Sequence, residues 1–280
     1  MPIYKPSELR QFLDSLGINP RKSLSQNFLI DGNIIRKIIS AAHVTPQDVV
    51  LEIGPGPGSL SEALLDAGAK VIAVEKDKVL ADALNRLKTA GKDIDIHTQD
   101  ILEFPIENAL SEHLTDGKKA KVIANLPYHL TTPILARLVL LHQTFQSITV
   151  MVQEEVARRF TAKPGTSDYS SFTVFLNFYS SPRYAFTVSK HCFYPEPKIQ
   201  SAVVTLDLKT PPLVSDQQKF FEMTRTAFEH RRKMLRGSLR SLYDPKAIEQ
   251  ALAEIGQNTQ ARPEELSLEE FLLLFEKLNP

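Results

Sequence analysis

The chain has 280 residues, with 33 acidic and 33 basic side chains and an apolar fraction of 42%, so it can hold one large domain and a small one and has an ordinary globular composition. No apolar run approaches the roughly 18 residues of a membrane span, and residues 1–5 lack the charged-then-apolar layout of a signal peptide. The single cysteine, Cys192, excludes an internal disulfide and a cysteine-based metal site. We therefore expect a cytosolic protein that binds neither a membrane nor a metal.

The first 45 residues are predicted to form a lid segment. The spacing predicts a helix over 7–16, an irregular basic segment over 20–31, and a second helix that Asp31 caps. The amides of Gln26 and Asn27 stand beside the apolar residues Phe28 and Leu29. This pattern fits either a surface loop with one apolar anchor or a lid that closes over a ligand.

From residue 49 the pattern alternates between strand and helix. Strands are predicted over 49–53, 71–74, 94–96, 122–124 and 148–152, with helices over 59–67, 78–87 and 133–142. Such alternation predicts an α/β fold with a parallel, doubly wound sheet. Ligands of these sheets bind outside the carboxyl ends of the strands.

The later part of the chain changes character. Apolar runs over 172–178, 182–190 and 201–208 predict an antiparallel edge to the sheet. The proline-containing segment 209–215 indicates a linker, so the predicted domains are 1–210 and 211–280. Helices are predicted over 216–230, 232–242, 246–254 and 267–277, which gives a small helical domain.

Charge is unevenly distributed over the predicted helical domain. Between 225 and 240 only Glu229 opposes six basic residues, which are Arg225, Arg231, Arg232, Lys233, Arg236 and Arg240. From 241 to 280 there are eight acidic residues and three basic ones. Zero net charge by itself argues against a nucleic-acid partner. A segregated basic surface is compatible with RNA, however, although a solvated helix face is the commoner meaning of such a run.

Each of the first three predicted strands is followed by a sequence feature that suggests a ligand site. Glu52-Ile-Gly-Pro-Gly-Pro-Gly58 has the spacing G-x-G-x-G, whereas a nicotinamide site favours G-x-G-x-x-G around a pyrophosphate. Glu75 ends the second strand, where a carboxylate can accept from both ribose hydroxyls. Asp100 follows the third strand and can accept from an adenine amine. Alternatively, the glycine segment is an ordinary turn, and Glu75 and Asp100 are solvent-exposed caps.

A fourth signal, Asn125-Leu-Pro-Tyr128, follows the fourth strand. Pro127 fixes its own φ and biases Leu126 toward an extended conformation. An amide oxygen, oriented carbonyls and an aromatic face suit a flat ligand that donates from an exocyclic amine. An ordinary proline turn with a half-buried tyrosine is the alternative. The four signals together favour a phosphate-free, adenosine-containing ligand such as S-adenosylmethionine.

These residues also carry a family resemblance. Glu52 to Gly58 with Glu75 resembles the cofactor motifs of class I methyltransferases, and Asn125 to Tyr128 resembles the N-(I/L/P)-P-(Y/F) motif of enzymes that methylate exocyclic amines. From about residue 20 onward the chain resembles the small-subunit ribosomal RNA adenine dimethyltransferases. The other matching segments are 25–29, 153–159, 164–169, 193–201 and 228–235.

The resemblance implies a Rossmann-like methyltransferase domain and a helical RNA-binding domain. It implies that S-adenosylmethionine contacts Asn27, Leu29, Gly54, Glu75, Asp100 and Asn125. It also implies that Asn125, Tyr128 and Phe193 frame the target adenine, although Phe193 could instead belong to the core. The basic residues implied to hold RNA phosphates are Arg225, Arg231, Arg232, Lys233 and Arg236.

The implied reaction is dimethylation of two adjacent adenosines in the 3′-terminal hairpin of small-subunit rRNA. The implied partner is the immature small ribosomal subunit, and we expect a monomer. Alternatives are a large-subunit rRNA or DNA adenine methylase, an assembly factor that acts mainly by docking, and a nicotinamide oxidoreductase.

Overall fold

The computed structural model describes residues 3, 5–18, 27–89, 91–115, 117–230 and 233–280. The chain forms two compact units, one of Met1–Ala157 with Arg183–Lys209 and one of Arg158–Pro182 with Thr210–Pro280. The two units meet in the chain between Lys209 and Thr210, close to the predicted domain boundary at 210. The second unit, however, also contains 158–182, which the sequence pattern assigns to the first domain.

The strands, numbered along the chain, are β1 (Phe28–Leu29), β2 (Val49–Ile53), β3 (Lys70–Glu75), β4 (Ile94–Thr98), β5 (Ala120–Asn125), β6 (Phe145–Gln153), β7 (Ser180–Val188), β8 (Phe193–Tyr194) and β9 (Ser201–Leu208). The α-helices are α1 (Pro6–Ser15), α2 (Gly32–Ala41), α3 (Ser59–Asp66), α4 (Lys78–Ala83), α5 (Ile106–Ser111), α6 (Thr131–Leu140), α7 (Glu154–Phe160), α8 (Ser171–Tyr179), α9 (Gln217–Glu229), α10 (Leu235–Ser238), α11 (Pro245–Glu254) and α12 (Leu268–Leu278). No helix among the described residues is long and apolar enough to cross a membrane.

The first unit is built on a seven-stranded sheet with the order β4-β3-β2-β5-β6-β9-β7. Strands β4, β3, β2, β5 and β6 are parallel to their neighbours, and β9 is antiparallel to β6. The predicted parallel sheet with an antiparallel edge is therefore confirmed. Because the parallel strands share a direction, the residues that follow β2, β3, β4 and β5 emerge at one edge of the sheet.

A separate two-stranded ribbon fixes part of the predicted lid segment. In this ribbon β1 pairs antiparallel with β8, and Phe28 lies opposite Tyr194 and Leu29 opposite Phe193. Asp31 caps α2 as predicted, since its Oδ1 accepts from the amide of Asn33 at 2.8 Å. Residues 19–26, which include the predicted Gln26, lie outside the described part of the chain.

The predicted strand over 172–178 is wrong, because these residues form helix α8. Its aromatic and β-branched residues have high strand propensity, but Ser170 supplies a helix N-cap. The Ser170 Oγ accepts from the Thr173 amide at 3.3 Å, and the Thr173 Oγ1 accepts from the Ser170 amide at 3.2 Å. This capping box starts the helix, and packing of its aromatic side chains maintains it.

The second unit is a helical bundle with an aromatic core. The ring centroids of Phe178 and Phe220 lie 5.6 Å apart, and those of Phe220 and Phe275 lie 5.7 Å apart. Helices α9, α11 and α12 confirm three predicted helices. The helix predicted over 232–242 is reduced to the four residues of α10. Elsewhere in the chain, helices α5 and α7 were not predicted.

Candidate functional site

A cavity opens at the carboxyl edge of the parallel strands, which is where doubly wound sheets bind their ligands. Five of the six residues predicted to contact the cofactor line it, namely Asn27, Gly54, Glu75, Asp100 and Asn125. The sixth, Leu29, lines a smaller neighbouring cavity that also touches Gly54 and Asn125. The structure thus brings together the strand-end residues that are far apart in sequence.

The glycine turn leaves space for a ligand against the backbone. Gly54 has a φ of 63°, which favours glycine, and no atom lies within 4 Å of a Cβ built on it. At Gly56, with a φ of 57°, a Cβ would lie 3.0 Å from the ring of Phe28. The absence of side chains therefore gives the ligand access at Gly54 and lets Phe28 pack onto the turn at Gly56.

Glu75 connects this turn to the end of β3. One carboxylate oxygen accepts from the Gly56 amide at 3.0 Å and the other accepts from the Asp77 amide at 2.9 Å. Burial raises the pKa of Glu75, and the two amide donors oppose that rise. Because both oxygens are fixed, the carboxylate is preorganised to accept further hydrogen bonds from a ligand in the cavity that it lines.

Asp100 is held in a similar way on the far side of the cavity. Its Oδ1 accepts from the Leu102 amide at 2.9 Å, and its Oδ2 accepts from the Lys76 ammonium at 2.8 Å. These hydrogen bonds lower the pKa of Asp100, with Lys76 making the larger contribution. Lys76 also lines the cavity and was not predicted. Its position directly after Glu75 at a strand end is the signal that could have identified it.

Other lining residues that the sequence patterns did not identify are Phe28, Asp77, Leu80, Gln99, Ile101 and His129. Leu80 lies within α4. Each of the others adjoins a predicted site residue or follows a strand end, but its own residue type carries no distinctive signal.

The corner after β5 is rigid, and its amide is oriented. The Asn125 Nδ2 donates to the Asn27 carbonyl at 3.0 Å, which leaves the Asn125 Oδ1 as the acceptor of that side chain. The Leu126 amide donates to the Met151 carbonyl at 3.1 Å, and the Pro127 carbonyl accepts from the Leu130 amide at 3.0 Å. These bonds fix the corner between β5 and α6.

Tyr128 lies next to this corner and is half-buried. Its hydroxyl lies 3.0 Å from the Ser201 hydroxyl. Burial raises the pKa of Tyr128, and the hydrogen bond with Ser201 partly offsets the rise. The phenol is therefore neutral at physiological pH.

Phe193 does not line either cavity. Its side chain is 3% exposed and belongs to the core cluster that contains Leu29, Ile35 and Val203. The pairing of β8 with β1 turns the ring inward. The ring of Phe193 thus packs in the core of this structure, and its contact with the target adenine stays a prediction.

Glu52 has an unusual position in the middle of the apolar β2. Its side chain is 1% exposed, and its Oε2 has no hydrogen-bond partner among the described residues. Burial raises the pKa of Glu52 to about 8; the Ser61 hydroxyl lowers it and the charge of Glu75 raises it further. Glu52 lines the smaller cavity, so this carboxyl group lies beside the glycine turn.

We expect Glu52→Gln to flatten the dependence of stability on pH. In the wild type the folded pKa of about 8 exceeds the reference value of 4.5, so Glu52 favours folding at low pH and this contribution is lost as the pH rises toward 8. Glutamine does not titrate. The free energy of unfolding of the variant should therefore rise by about 2–4 kcal/mol relative to that of the wild type between about pH 5 and pH 9. Urea unfolding of both proteins measures this. If the free energies of unfolding of the two proteins changed in parallel from about pH 5 to pH 9, Glu52 would be ionised in the folded wild type over that whole range.

The predicted RNA-binding residues belong to the second unit. Arg225 on α9 and Lys233 are exposed. Arg236 is also exposed and forms an ion pair with Glu249 at 2.5 Å. Arg231 and Arg232 lie outside the described residues. Among the described residues of this run, Arg225, Lys233 and Arg236 are therefore exposed, and Arg236 already has an acidic partner.

Comparison with known proteins gives consistent results. Residues 17–280 match the ribosomal RNA adenine dimethylase family. The chain is 66% identical over 278 residues to ribosomal RNA small subunit methyltransferase A of Protochlamydia amoebophila, covering 99% of this chain and 98% of that protein. It is 46% identical to the protein of the same name from Chlamydia trachomatis serovar D, covering 97% of this chain and 96% of that protein.

Two solved structures have a similar fold. One is a dimethyladenosine transferase from Plasmodium falciparum, with a TM-score of 0.75 and 24% identity over 90% of this chain and 97% of that chain. The other is the 23S rRNA methyltransferase ErmE, with a TM-score of 0.70 and 27% identity over 91% of this chain and 100% of that chain. Both cover the two units described above.

Proposed function

Because the chain belongs to the ribosomal RNA adenine dimethylase family, we propose that it methylates the N6 amines of two adjacent adenosines in the 3′-terminal hairpin of small-subunit rRNA. The observation that carries this proposal is the orientation of Asn125, whose Nδ2 is bound to the Asn27 carbonyl and whose Oδ1 is therefore an acceptor at the cavity. The names of the similar proteins support the small subunit as the partner. We propose that the chain acts as a cytoplasmic monomer.

The donors and acceptors of the cavity fit S-adenosylmethionine. Three carboxylates line it, from Glu75, Asp77 and Asp100, and Lys76 is the sole lysine or arginine among the described lining residues. Since Lys76 is already paired with Asp100, the cavity offers little to a pyrophosphate, which disfavours a nicotinamide dinucleotide. When bound, S-adenosylmethionine supplies the electrophilic methyl group.

Each residue that would hold this cofactor has a definite chemical task. Glu75 would accept from the ribose hydroxyls, and Asp100 would accept from the adenine amine. In the smaller cavity the buried carboxyl of Glu52, whose Oε2 has no partner among the described residues, adds a further hydrogen-bonding group beside Gly54. The assignments of Glu75 and Asp100 use oxygens that existing hydrogen bonds already hold in place.

The corner at Asn125 would activate the target nitrogen. The lone pair of an adenine amine is delocalised into the ring, so the amine is a poor nucleophile. Two acceptors draw it toward tetrahedral geometry, and the lone pair becomes available as the transition state forms. Asn125 Oδ1 is one acceptor. Because the Pro127 carbonyl already accepts from the Leu130 amide, we assign the Leu126 carbonyl as the second.

Tyr128 would stack on the extruded adenine. Stacking on an aromatic ring contributes about 1–3 kcal/mol per base, and extrusion costs a few kcal/mol, least where the base is unpaired. This balance favours a hairpin loop of RNA over duplex DNA. The reaction then depends on alignment of the amine with the methyl donor.

The second unit would hold the RNA through its basic surface. We expect Arg225→Ala with Lys233→Ala to weaken RNA binding and to lower the salt slope of log K by about one per lost phosphate contact. Titrations at several salt concentrations measure the slope, and Arg183→Ala, at an exposed arginine paired with Asp207, is the control. The same measurement applies to Arg231 and Arg232. An unchanged slope would mean that this surface is only solvated.

The substrate is tested by offering competing acceptors. Unmethylated small subunits, large subunits and duplex DNA are incubated with the chain and labelled cofactor, and the nucleic acids are analysed by mass spectrometry. We expect dimethyladenosine in the small subunit alone. Modification of the large subunit would instead favour the activity named for ErmE, which has the same fold. Cell growth on a binding-competent but inactive variant would indicate that docking is the main role.

A further inference from the structure

Ser201 is the first residue of β9, and its side chain is completely buried. Its hydroxyl lies 3.0 Å from the hydroxyl of Tyr128, 73 residues earlier in the chain. We propose that Ser201 is a positioning residue for methyl transfer, because it fixes the far end of the Tyr128 ring against which the target adenine stacks. This inference rests on the function proposed above and adds a residue to its site.

The strand register explains how Ser201 reaches Tyr128. Asn125 at the end of β5 lies opposite Met151 of β6, and Ser201 lies opposite Gln153, which is the last residue of β6. The tyrosine therefore spans from the corner after β5, past the end of β6, to the beginning of β9. The hydrogen bond joins the antiparallel edge of the sheet to the corner that holds Asn125.

The backbone of Ser201 is itself well fixed. It belongs to the β6–β9 ladder, and the carbonyl of the preceding residue, Gln200, accepts from the Glu154 amide at 3.0 Å. Ser201 is completely buried and its backbone is paired at the end of the β6–β9 ladder, so the sheet sets its position. The hydroxyl of Ser201 therefore determines where the phenol oxygen of Tyr128 lies.

Anchoring the phenol oxygen has a consequence for binding of a base. A tyrosine held only at its Cβ rotates about two side-chain torsions, and stacking on it requires both to become ordered. Because the hydrogen bond to Ser201 orders the far end of the ring in advance, that entropic cost is absent when the adenine enters. The ring plane is also fixed relative to Asn125, which must accept from the same base.

A simpler alternative is that Ser201 only satisfies a buried polar group and stabilises the sheet. The two roles differ in what they change. A stabilising residue affects unfolding and leaves turnover of the folded protein unaltered. A positioning residue affects transfer to RNA, acts through the tyrosine hydroxyl, and leaves the cofactor site unchanged.

The test is a double-mutant cycle in the full-length protein. Ser201→Ala and Tyr128→Phe each remove the same hydrogen bond, and the second variant retains the aromatic ring. Single-turnover methyl transfer to unmethylated small subunits, the KM for the subunit, the Kd of the cofactor and the unfolding temperature are measured for both variants and their combination. Thr205→Val is the matched control, since it removes a hydroxyl from the same strand, one that pairs with Thr149 at 3.4 Å.

We expect each single variant to lower the rate of transfer about five- to tenfold, the range that one hydrogen bond supplies. The double variant should be no slower than the singles, and cofactor Kd should stay within about twofold of the wild type in all of them. Thr205→Val should transfer at the wild-type rate. Wild-type transfer by Ser201→Ala, or losses that multiply in the double variant, would overturn the positioning role.

The transfer assay also distinguishes failure of the proposed function from failure of the positioning role of Ser201. In that case the wild-type protein would not methylate the small subunit, whereas failure of the positioning role leaves wild-type transfer intact and dependent on Asn125.

Discussion

Asn125→Ala is expected to lower methyl transfer by about 10²–10³-fold, the usual loss when one preorganised transition-state contact is removed. Alanine has no acceptor at the position of Oδ1, so the target amine loses one of the two hydrogen bonds that free its lone pair. Cofactor affinity should fall only a few-fold. The acceptors proposed for it belong to Glu75 and Asp100, which are held by the backbone amides of Gly56, Asp77 and Leu102.

Single-turnover transfer at saturating cofactor, together with equilibrium binding of the cofactor, separates these two effects. Asn125→Asp is the informative comparison, because it keeps acceptor oxygens but loses the N–H that binds the Asn27 carbonyl. It should retain more activity than the alanine variant. Near-normal turnover by Asn125→Ala would refute the mechanism, since no other described side chain is assigned the role of orienting the amine.

The second large effect is expected at Glu75, where replacement by alanine or glutamine should weaken cofactor binding by about 100-fold, as expected for losing hydrogen bonds to a charged acceptor. Both oxygens of Glu75 already accept backbone amides, from Gly56 and Asp77. Glutamine has one acceptor oxygen, so its NH₂ group would face one of those donors. The conservative variant therefore disturbs the glycine turn as well as the ribose contact.

Calorimetric titration with the cofactor, supported by the rise in unfolding temperature that the cofactor produces, measures this loss. Glu103→Gln is the matched control, because Glu103 is an exposed carboxylate at the same edge of the sheet and does not line the cavity. Unchanged affinity in Glu75→Gln would mean that this carboxylate only supports the turn. RNA binding through the second unit should be retained in both Glu75 variants.

The aromatic segment before β7 shows where local patterns mislead. The residues of 172–178 have the composition of a strand, but the Ser170–Thr173 capping box and the packing of Phe178 on Phe220 make them a helix. For Phe193 the family motif predicts a contact with the base, and this contact stays a prediction. The structure adds that the pairing of β8 with β1 places the ring in the core.

The sequence by itself determined the parallel sheet and the assembly of Gly54, Glu75, Asp100 and Asn125 at one edge, since alternating strands and helices force the strand ends together. Only the tertiary structure decided which atoms of those residues are already engaged. It paired Lys76 with Asp100, joined Tyr128 to Ser201, and left an oxygen of Glu52 without a described partner. Periodicity reports which residues face inward, whereas side-chain partners depend on register and packing between segments far apart in the chain.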